Sequence, residues 1–430
     1  MNASRPGRLH YAWIVAAVTF VALLVSAGIR ATPGVLILPL EHATGWSRST
    51  ISLAIAVNIA LYGLMGPFAG ALMARIGIRA TTAIGLAVVA AGVGATSLVR
   101  EPWQLIALWG VVVGIGTGMV AIVLAAAVAT RWFVARRGLV SGILTASTAT
   151  GQLVFLPLLA WIAAWGGWRP VTLTVACAAV AALVPVLLFM RDRPESLNLR
   201  AYGATALDPS AEPAFLRSGN PLTVAFATLG RCSRSRDFWV LGGSFFICGA
   251  STNGLIGTHF IPACGDHGIP EVRAAGLLAA MGILDLVGTS ASGWLTDRGN
   301  PRVLLFWYYG LRGLSLLFLP YAFDLSFGGL SVFAIFYGLD WIATVPPTLR
   351  LATDLFGAEE APIVYGWIAA ARQLGASATA LLAGVLRQTY GSYTPAFALS
   401  GAVCLVAAII VLTIRRAPVA PVRAKLAPVT

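Results

Sequence analysis

Long apolar runs separated by short polar ones dominate this chain. Twelve runs are each long enough to supply the ~20 apolar residues with which a helix crosses a bilayer. They cover roughly residues 11–38, 49–73, 80–99, 103–130, 137–163 and 168–190, then 237–261, 271–295, 302–322, 326–351, 361–386 and 392–414. Between the sixth and seventh runs, residues 191–236 are polar and contain Pro194, Pro209, Pro213 and Pro221. That stretch predicts a linker carrying a short surface helix. The pattern therefore predicts an all-α integral membrane protein. Residues 1–190 form one six-helix bundle, 191–236 a linker, and 237–430 a second six-helix bundle with a short basic tail.

Composition agrees. The chain is 58% hydrophobic and 10% charged, with a mean hydropathy of +0.84, whereas a soluble protein carries about a quarter charged residues. A net charge of +13 suggests nucleic acid at first sight. The charge lies in short loops between apolar runs and not on one soluble face, which excludes that partner and makes the bilayer the surrounding medium. Lys425 is the one lysine; the other basic residues are arginines. The loops that would face outward carry Arg48, Arg100, Arg169, Arg273 and Arg387, and most of the remainder falls in the alternate loops, the linker and the two ends. This asymmetry predicts that both termini and the linker are cytoplasmic, in the cell membrane. The opening residues Met1 to His10 are polar, and the first apolar run is too long for a signal peptide, so it reads as an uncleaved first helix. Cys177, Cys232, Cys248, Cys264 and Cys404 are scattered and odd in number, with neither metal-ligand spacing nor a disulfide framework. No nucleophile elbow, phosphate loop or nucleotide fingerprint appears. An enzyme, a cofactor, a metal and ATP-driven work are all unexpected, which leaves an ion or solute gradient as the energy source.

The two halves repeat. Gly70, Arg75 and Arg79, in the loop after the second run, match Gly293, Arg298 and Arg302, after the eighth, at an offset of 223. Gly142 and Gly151 are echoed by Gly366 and Gly375 at 224. Repeats of this size in a membrane chain are a transporter signature. Gly110, Gly114, Gly116 and Gly118 in the fourth run predict close helix packing.

These loops resemble the Gly-x-x-x-Asp-Arg-x-Gly-x-Arg signature of the major facilitator superfamily, with Ala74 in place of Asp in the first copy and Asn300 in place of Gly in the second. The resemblance implies twelve transmembrane helices in two pseudo-symmetric bundles that rock about a central, mid-membrane cavity, working as a monomer. It also implies that Asp297 braces the cytoplasmic gate between the halves, which makes Gly70, Arg75, Arg79, Gly293, Asp297, Arg298 and Arg302 gating-loop residues. Trp46-Ser47-Arg48 and the run from Arg131 through Arg136, Arg137 and Gly138 to Gly142 are similar to the monocarboxylate transporter branch and its bacterial relatives, including oxalate/formate exchangers.

Five ionisable residues interrupt the apolar runs: Arg30, Asp285, Arg312, Asp340 and Arg372. Each costs ~2.5–3.5 kcal/mol at mid-membrane on insertion scales, so each needs a partner. Three positive and two negative charges leave one positive charge over, which an anionic substrate would complete; a guanidinium fork suits a carboxylate. Arg372 is the first candidate, ~16 Å into the eleventh helix and equivalent in the repeat to Thr148. Its alternative is a structural pair with Asp285 or Asp340. Arg30 precedes Thr32-Pro33-Gly34 and is equivalent to Asn253; its alternative is snorkelling to the interface. Arg312 reads as the structural partner of Asp340. By resemblance, Asp285 holds the place of an aspartate in the eighth helix of monocarboxylate transporters, and Thr289 holds the place of an arginine one turn on. Either Arg372 supplies that charge from another helix, or the substrate is not a simple monocarboxylate. Asp285 is the candidate proton carrier, with Asp340 its rival. Tyr62, Asn253 and Thr289 are candidates to complete the site, Asn58 and Gln152 read as helix–helix hydrogen bonds, and His259 as a solvated interfacial residue. The reading that results is a secondary transporter moving a small organic anion by alternating access with proton symport. Its alternatives are an anion exchanger or proton-coupled exporter and, more remotely, a transporter-derived sensor.

Overall fold

The computed structural model describes residues 10–204, 221–357 and 360–415. The polar start of the chain, Pro209 and Pro213 of the linker and the basic tail with Lys425 lie outside the described residues. The fold is all-helical. In chain order the spanning helices are α1 (Tyr11–Thr44), α2 (Arg48–Ile76), α3 (Ile78–Thr96), α4 (Pro102–Trp132), α5 (Arg137–Gly166) and α6 (Trp168–Phe189). A short helix, α7 (Pro221–Cys232), follows the linker. Then come α8 (Arg236–Asp266), α9 (Glu271–Arg298), α10 (Pro301–Asp324), α11 (Ser326–Leu339), α12 (Val345–Phe356), α13 (Ala361–Tyr390) and α14 (Thr394–Val411). Eleven helices among the described residues are long and apolar enough to cross a membrane.

The tenth predicted run is the exception, because α11 and α12 share it and are separated by a turn over Asp340–Thr344. The fourth helix of the first half is interrupted in the corresponding place. Val120 and Ala121 leave helical geometry, and 120 plus the repeat offset falls inside the later break. Paired interruptions at matching positions are the backbone mark of a transporter built from repeats.

Local signals explain the connections. Gly45 closes α1 in the left-handed region (φ 71°), and Ser47 accepts the Thr50 N–H to cap α2. With 34 residues, α1 runs about 51 Å at 1.5 Å per residue; it outreaches the ~30 Å hydrocarbon core. The repeated glycines divide in role. A Cβ on Gly151 would strike the α1 backbone at Leu24, and one on Gly375 the α8 backbone at Phe246, so the second glycine of each pair sets a tight crossing within its half. Gly142 and Gly366 face open space. The fourth-helix glycines pack closely, Gly110, Gly114 and Gly118 on α2 and Gly116 on α3.

The halves meet along two crossings, α2 with α13 and α5 with α9, flanked by α1 against α8. Ser377 donates to the Ala56 carbonyl (2.8 Å) across the first crossing, and Gly63 lies against the Gln373 side chain. The linker is tied at both ends. Tyr202 N–H donates to the Trp132 carbonyl (2.8 Å) in the first half, and Trp367 Nε1 donates to the Ala225 carbonyl (3.0 Å) between α13 and α7.

Candidate functional site

Where the two crossings diverge, at mid-height, a cavity of about 50 Å³ is left between the halves. At about 10–15 Å³ per water it admits a few waters in this conformation. Arg30 and Pro33 of α1, Asn58 and Tyr62 of α2, Gln152 of α5, Asn253 and Thr258 of α8, Trp341 at the helix break and Gln373 of α13 contribute to its wall. The helix break thus delivers a side chain to the cavity.

Arg30 is the cation of this cavity. Its Nη1 donates to the Tyr62 hydroxyl at 3.0 Å, and its guanidinium carbon sits 4.2 Å from the centre of the Tyr62 ring. A ring face and a hydroxyl orient the fork without neutralising it; Arg30 forms no ion pair with a described residue. Asn58 is committed elsewhere, its Nδ2 donating to the Trp109 carbonyl (2.7 Å). Asn253 lies in a π-helical turn, Ala250–Ile256, and its carbonyl accepts from Thr258 Oγ1 (2.9 Å). The Gln373 side-chain oxygen is buried with no hydrogen-bond partner. This residue was not singled out from sequence, though it follows Arg372 directly.

The remaining intramembrane charges sit apart from the cavity wall. Successive helix residues point ~100° apart, so with Gln373 on the cavity, Arg372 turns toward α8. There its Nη2 donates weakly to Thr252 Oγ1 (3.3 Å), its guanidinium lies 5.9 Å from the Phe245 ring centre, and its Nε is buried without a partner. Arg312 forms a buried ion pair with Asp340 (Nε–Oδ2 2.8 Å), and its Nη2 donates to the carbonyls of Asp340 and Trp341. The guanidinium occupies the carbonyl-rich end of α11, where a bound cation would otherwise be at home. Asp285 Oδ1 accepts from Thr289 Oγ1 and from the Ile342 N–H, both at 2.9 Å. Thr289 therefore faces Asp285, and the pair clamps α9 to the helix break, aided by Ser292 donating to the Ala343 carbonyl (2.5 Å).

The end of the bundle where α1 finishes, here the distal end, holds a cluster that sequence reading left as separate loop charges. Arg48 Nε donates to Glu41 (2.6 Å), and its two terminal nitrogens hold both Asp266 oxygens (2.9 and 2.8 Å). Arg387 donates to the same Asp266 at 2.7 Å. Arg48 is only 7% exposed. His259 is fully buried, which corrects its reading as a solvated interfacial residue. Its Nε2 faces the Ala380 carbonyl (2.7 Å) and therefore carries the proton, leaving Nδ1 to accept from the Tyr393 hydroxyl (3.2 Å). Burial pushes the Tyr393 phenol up to about 12, so it stays protonated and able to donate. The sequence signal for the cluster was the Trp46-Ser47-Arg48 turn.

The repeated loops lie at the opposite, proximal end, and each stays with its own half. Arg79 N–H donates to Asp192 (2.8 Å) and its side chain to the Leu187 carbonyl; Arg302 donates to the Ile414 carbonyl (2.8 Å) at the end of α14. Arg298 stacks on Trp294, and Asp297 is exposed without an ion pair to a described residue.

Two interlocked helical halves around a small polar cavity, with a matched helix break in each half, are the architecture of a membrane transporter built from repeats. The family model of the Major Facilitator Superfamily matches residues 18–380, and the chain belongs to that family. It is accordingly a multi-pass, non-enzymatic secondary transporter that binds a small-molecule substrate. It is 25% identical to the uncharacterised MFS-type transporter YcxA of Bacillus subtilis over 80% of each chain. It is 26% identical to monocarboxylate transporter 13 of Rattus norvegicus over 96% of this chain and 91% of that one, and 26% identical to human monocarboxylate transporter 11 over 95% and 83%. In fold it is similar to a bacterial homologue of the lysosomal transporter Spinster, solved inward-facing and unoccupied (TM-score 0.70, 15% identity, 95% of each chain), and to a POT family transporter in complex with 5-aminolevulinic acid (TM-score 0.70, 15% identity, 93% and 95%).

Proposed function

We propose that this transporter carries a small organic anion, a carboxylate, across the cell membrane, and that Arg30 binds it. The observation that carries this reading is the oriented, acid-free guanidinium of Arg30 in a cavity shared by both halves. A carboxylate there would gain a fork of two charge-assisted hydrogen bonds. The amides of Gln152, Asn253 and Gln373 line the same space and would take the polar remainder of the substrate. Arg372, the first candidate from sequence, takes a supporting role behind Gln373. Monocarboxylate transporters among the relatives support the substrate class. The moving units in this proposal are residues 1–190 and 237–430, joined by the linker, in a monomer. The distribution of arginines supports an orientation with both termini and the proximal end in the cytoplasm and the distal end outside.

Proton symport would run through Asp285, whose hydrogen bonds among the described residues come from Thr289 and a backbone N–H. A second reading, anion exchange, draws on the placement of both aspartates away from the cavity wall, with Asp340 held by Arg312. Proteoliposomes loaded with a pH dye test both. Under an inward proton gradient, a panel of small mono- and dicarboxylates should acidify the lumen. Arg30→Ala should abolish the signal, and Arg372→Ala should weaken it. If Asp285→Asn leaves proton-driven uptake intact, the symport pathway is wrong. If labelled carboxylates exchange without acidification, exchange is the function; if nothing in the panel moves, the carboxylate assignment falls.

A further inference from the structure

The distal ion cluster has an unusual wiring. Glu41 and Arg48 belong to the first half, at the end of α1 and the start of α2. Asp266 and Arg387 belong to the second, at the ends of α8 and α13. Each half therefore brings one acid and one base. In the observed state Arg48 spans the gap, held by Glu41 on one side and, through both terminal nitrogens, by Asp266 on the other. Asp266 is held in turn by Arg387. The same crossing is tight: a Cβ on Gly384 would collide with Ser52 and the Arg48 carbonyl, and Ser49 donates to Gln388 beside it.

We propose that this cluster is a partner-sharing latch for the distal gate. Closing the gate adds the Arg48–Asp266 fork to two ion pairs that already exist, one in each half. Of the ion pairs in the cluster, opening breaks only that fork; the neutral contacts of Arg48 with Tyr393 and of Ser49 with Gln388 part with it. Glu41–Arg48 and Asp266–Arg387 then separate as two charge-balanced pairs, and no buried charge is stranded in either half. Breaking an ordinary buried ion pair leaves an uncompensated charge and costs several kcal/mol. Sharing removes most of that penalty, so the gate can be held shut by a strong, specific contact and still open during turnover. The device is independent of which anion is carried.

The wiring predicts effects of opposite sign from residues in the same cluster. Losing Arg48 or Asp266 weakens the closed state, because the fork is gone. Losing Glu41 or Arg387 weakens the open state, because opening now strands Arg48 or Asp266. A cluster that merely stabilised the structure would not give two signs. The test is a distance measurement between spin labels at Ala43 and Thr389, which are exposed at the distal ends of α1 and α13. The protein is full length, in nanodiscs, with the exposed Cys177 replaced by serine. Arg48→Ala and Asp266→Asn should raise the long-distance, open population by about tenfold, the change expected for a lost charge-assisted contact. Glu41→Gln and Arg387→Ala should lower it by about twofold to fivefold, since the stranded charge meets water once the gate opens. Arg48→Lys keeps the charge but not the fork, and should raise the open population by less than Arg48→Ala; it also carries the test should the alanine variant fold poorly. Unchanged distances in both Asp266→Asn and Arg48→Lys would overturn the latch. So would a shift toward the open state in Glu41→Gln or Arg387→Ala, because that sign contradicts sharing.

Discussion

The two ends of the bundle differ in how the halves are joined. At the distal end a buried arginine from one half forks onto an aspartate of the other, and the helices cross with no room for a side chain at Gly384. At the proximal end the side chains of Arg79 and Arg302 turn back to carbonyls of their own half, and Asp297 stands exposed without an ion pair to a described residue. The exposed Arg231–Glu360 pair (2.6 Å) ties the linker helix α7 to the start of α13 in the second half. The distal end is closed by an ion-pair fork across the halves, whereas Arg79 and Arg302 at the proximal end bind within their own half. The repeated loops that stand out in the sequence lie at the proximal end, and of the residues that make the distal closure only Arg48, in the Trp46-Ser47-Arg48 turn, stands out.

The comparison can be broken most completely by fixing the distal end shut. Cysteines in place of Ser49 and Gln388, joined by a short bifunctional thiol reagent, should abolish transport, with recovery when a cleavable reagent is reduced; full activity in the cross-linked protein would mean the distal end does not open. Next in size is Arg312→Ala. It leaves Asp340 buried without its partner inside one half, and thermal unfolding in detergent should show a loss of about 3–5 kcal/mol. Because this pair does not bridge the halves, the Ala43–Thr389 distance distribution should stay unchanged, which separates structural charges from gating ones. Gly384→Ala sharpens the comparison from the packing side. Its Cβ would press on Ser52 and Arg48, and overpacking of this kind costs about 1–3 kcal/mol, here falling on the closed state alone; the open population should rise. Gly366→Ala, facing open space in the same helix, should leave it untouched. The smallest effect is expected of Asp297→Asn, within about 0.5 kcal/mol in a melt of this conformation. A transport rate that nevertheless falls severalfold would show that Asp297 acts when the proximal end closes.

Some of the site was readable in advance and some was not. The helix breaks at Val120 and at Asp340–Thr344 fall inside runs that read as continuous spans. The excess of buried cationic charge was a matter of arithmetic on Arg30, Asp285, Arg312, Asp340 and Arg372. Which cation faces the cavity was not. Arg372 and Gln373 are neighbours in the chain, and the rotation of α13 about its axis turns one to α8 and the other to the cavity. Thr289 shows the same limit: one turn from Asp285, it serves that carboxylate and does not line the cavity.

The membrane fold, the two-fold repeat and the family were all legible in the chain before any coordinates, because they rest on periodicity, run length and local signatures, each contained within a few dozen residues. The need of buried charges for partners was legible too, because the cost of an unpaired charge in hydrocarbon does not depend on the fold. Who those partners are was settled only by the packing of the helices. Glu41, Arg48, Asp266 and Arg387 meet from opposite halves of the chain, and Arg30 keeps company with Tyr62 and not with an acid. Ion pairing and hydrogen bonding act over a few ångströms, and only the rotation and crossing of packed helices bring distant residues within that reach.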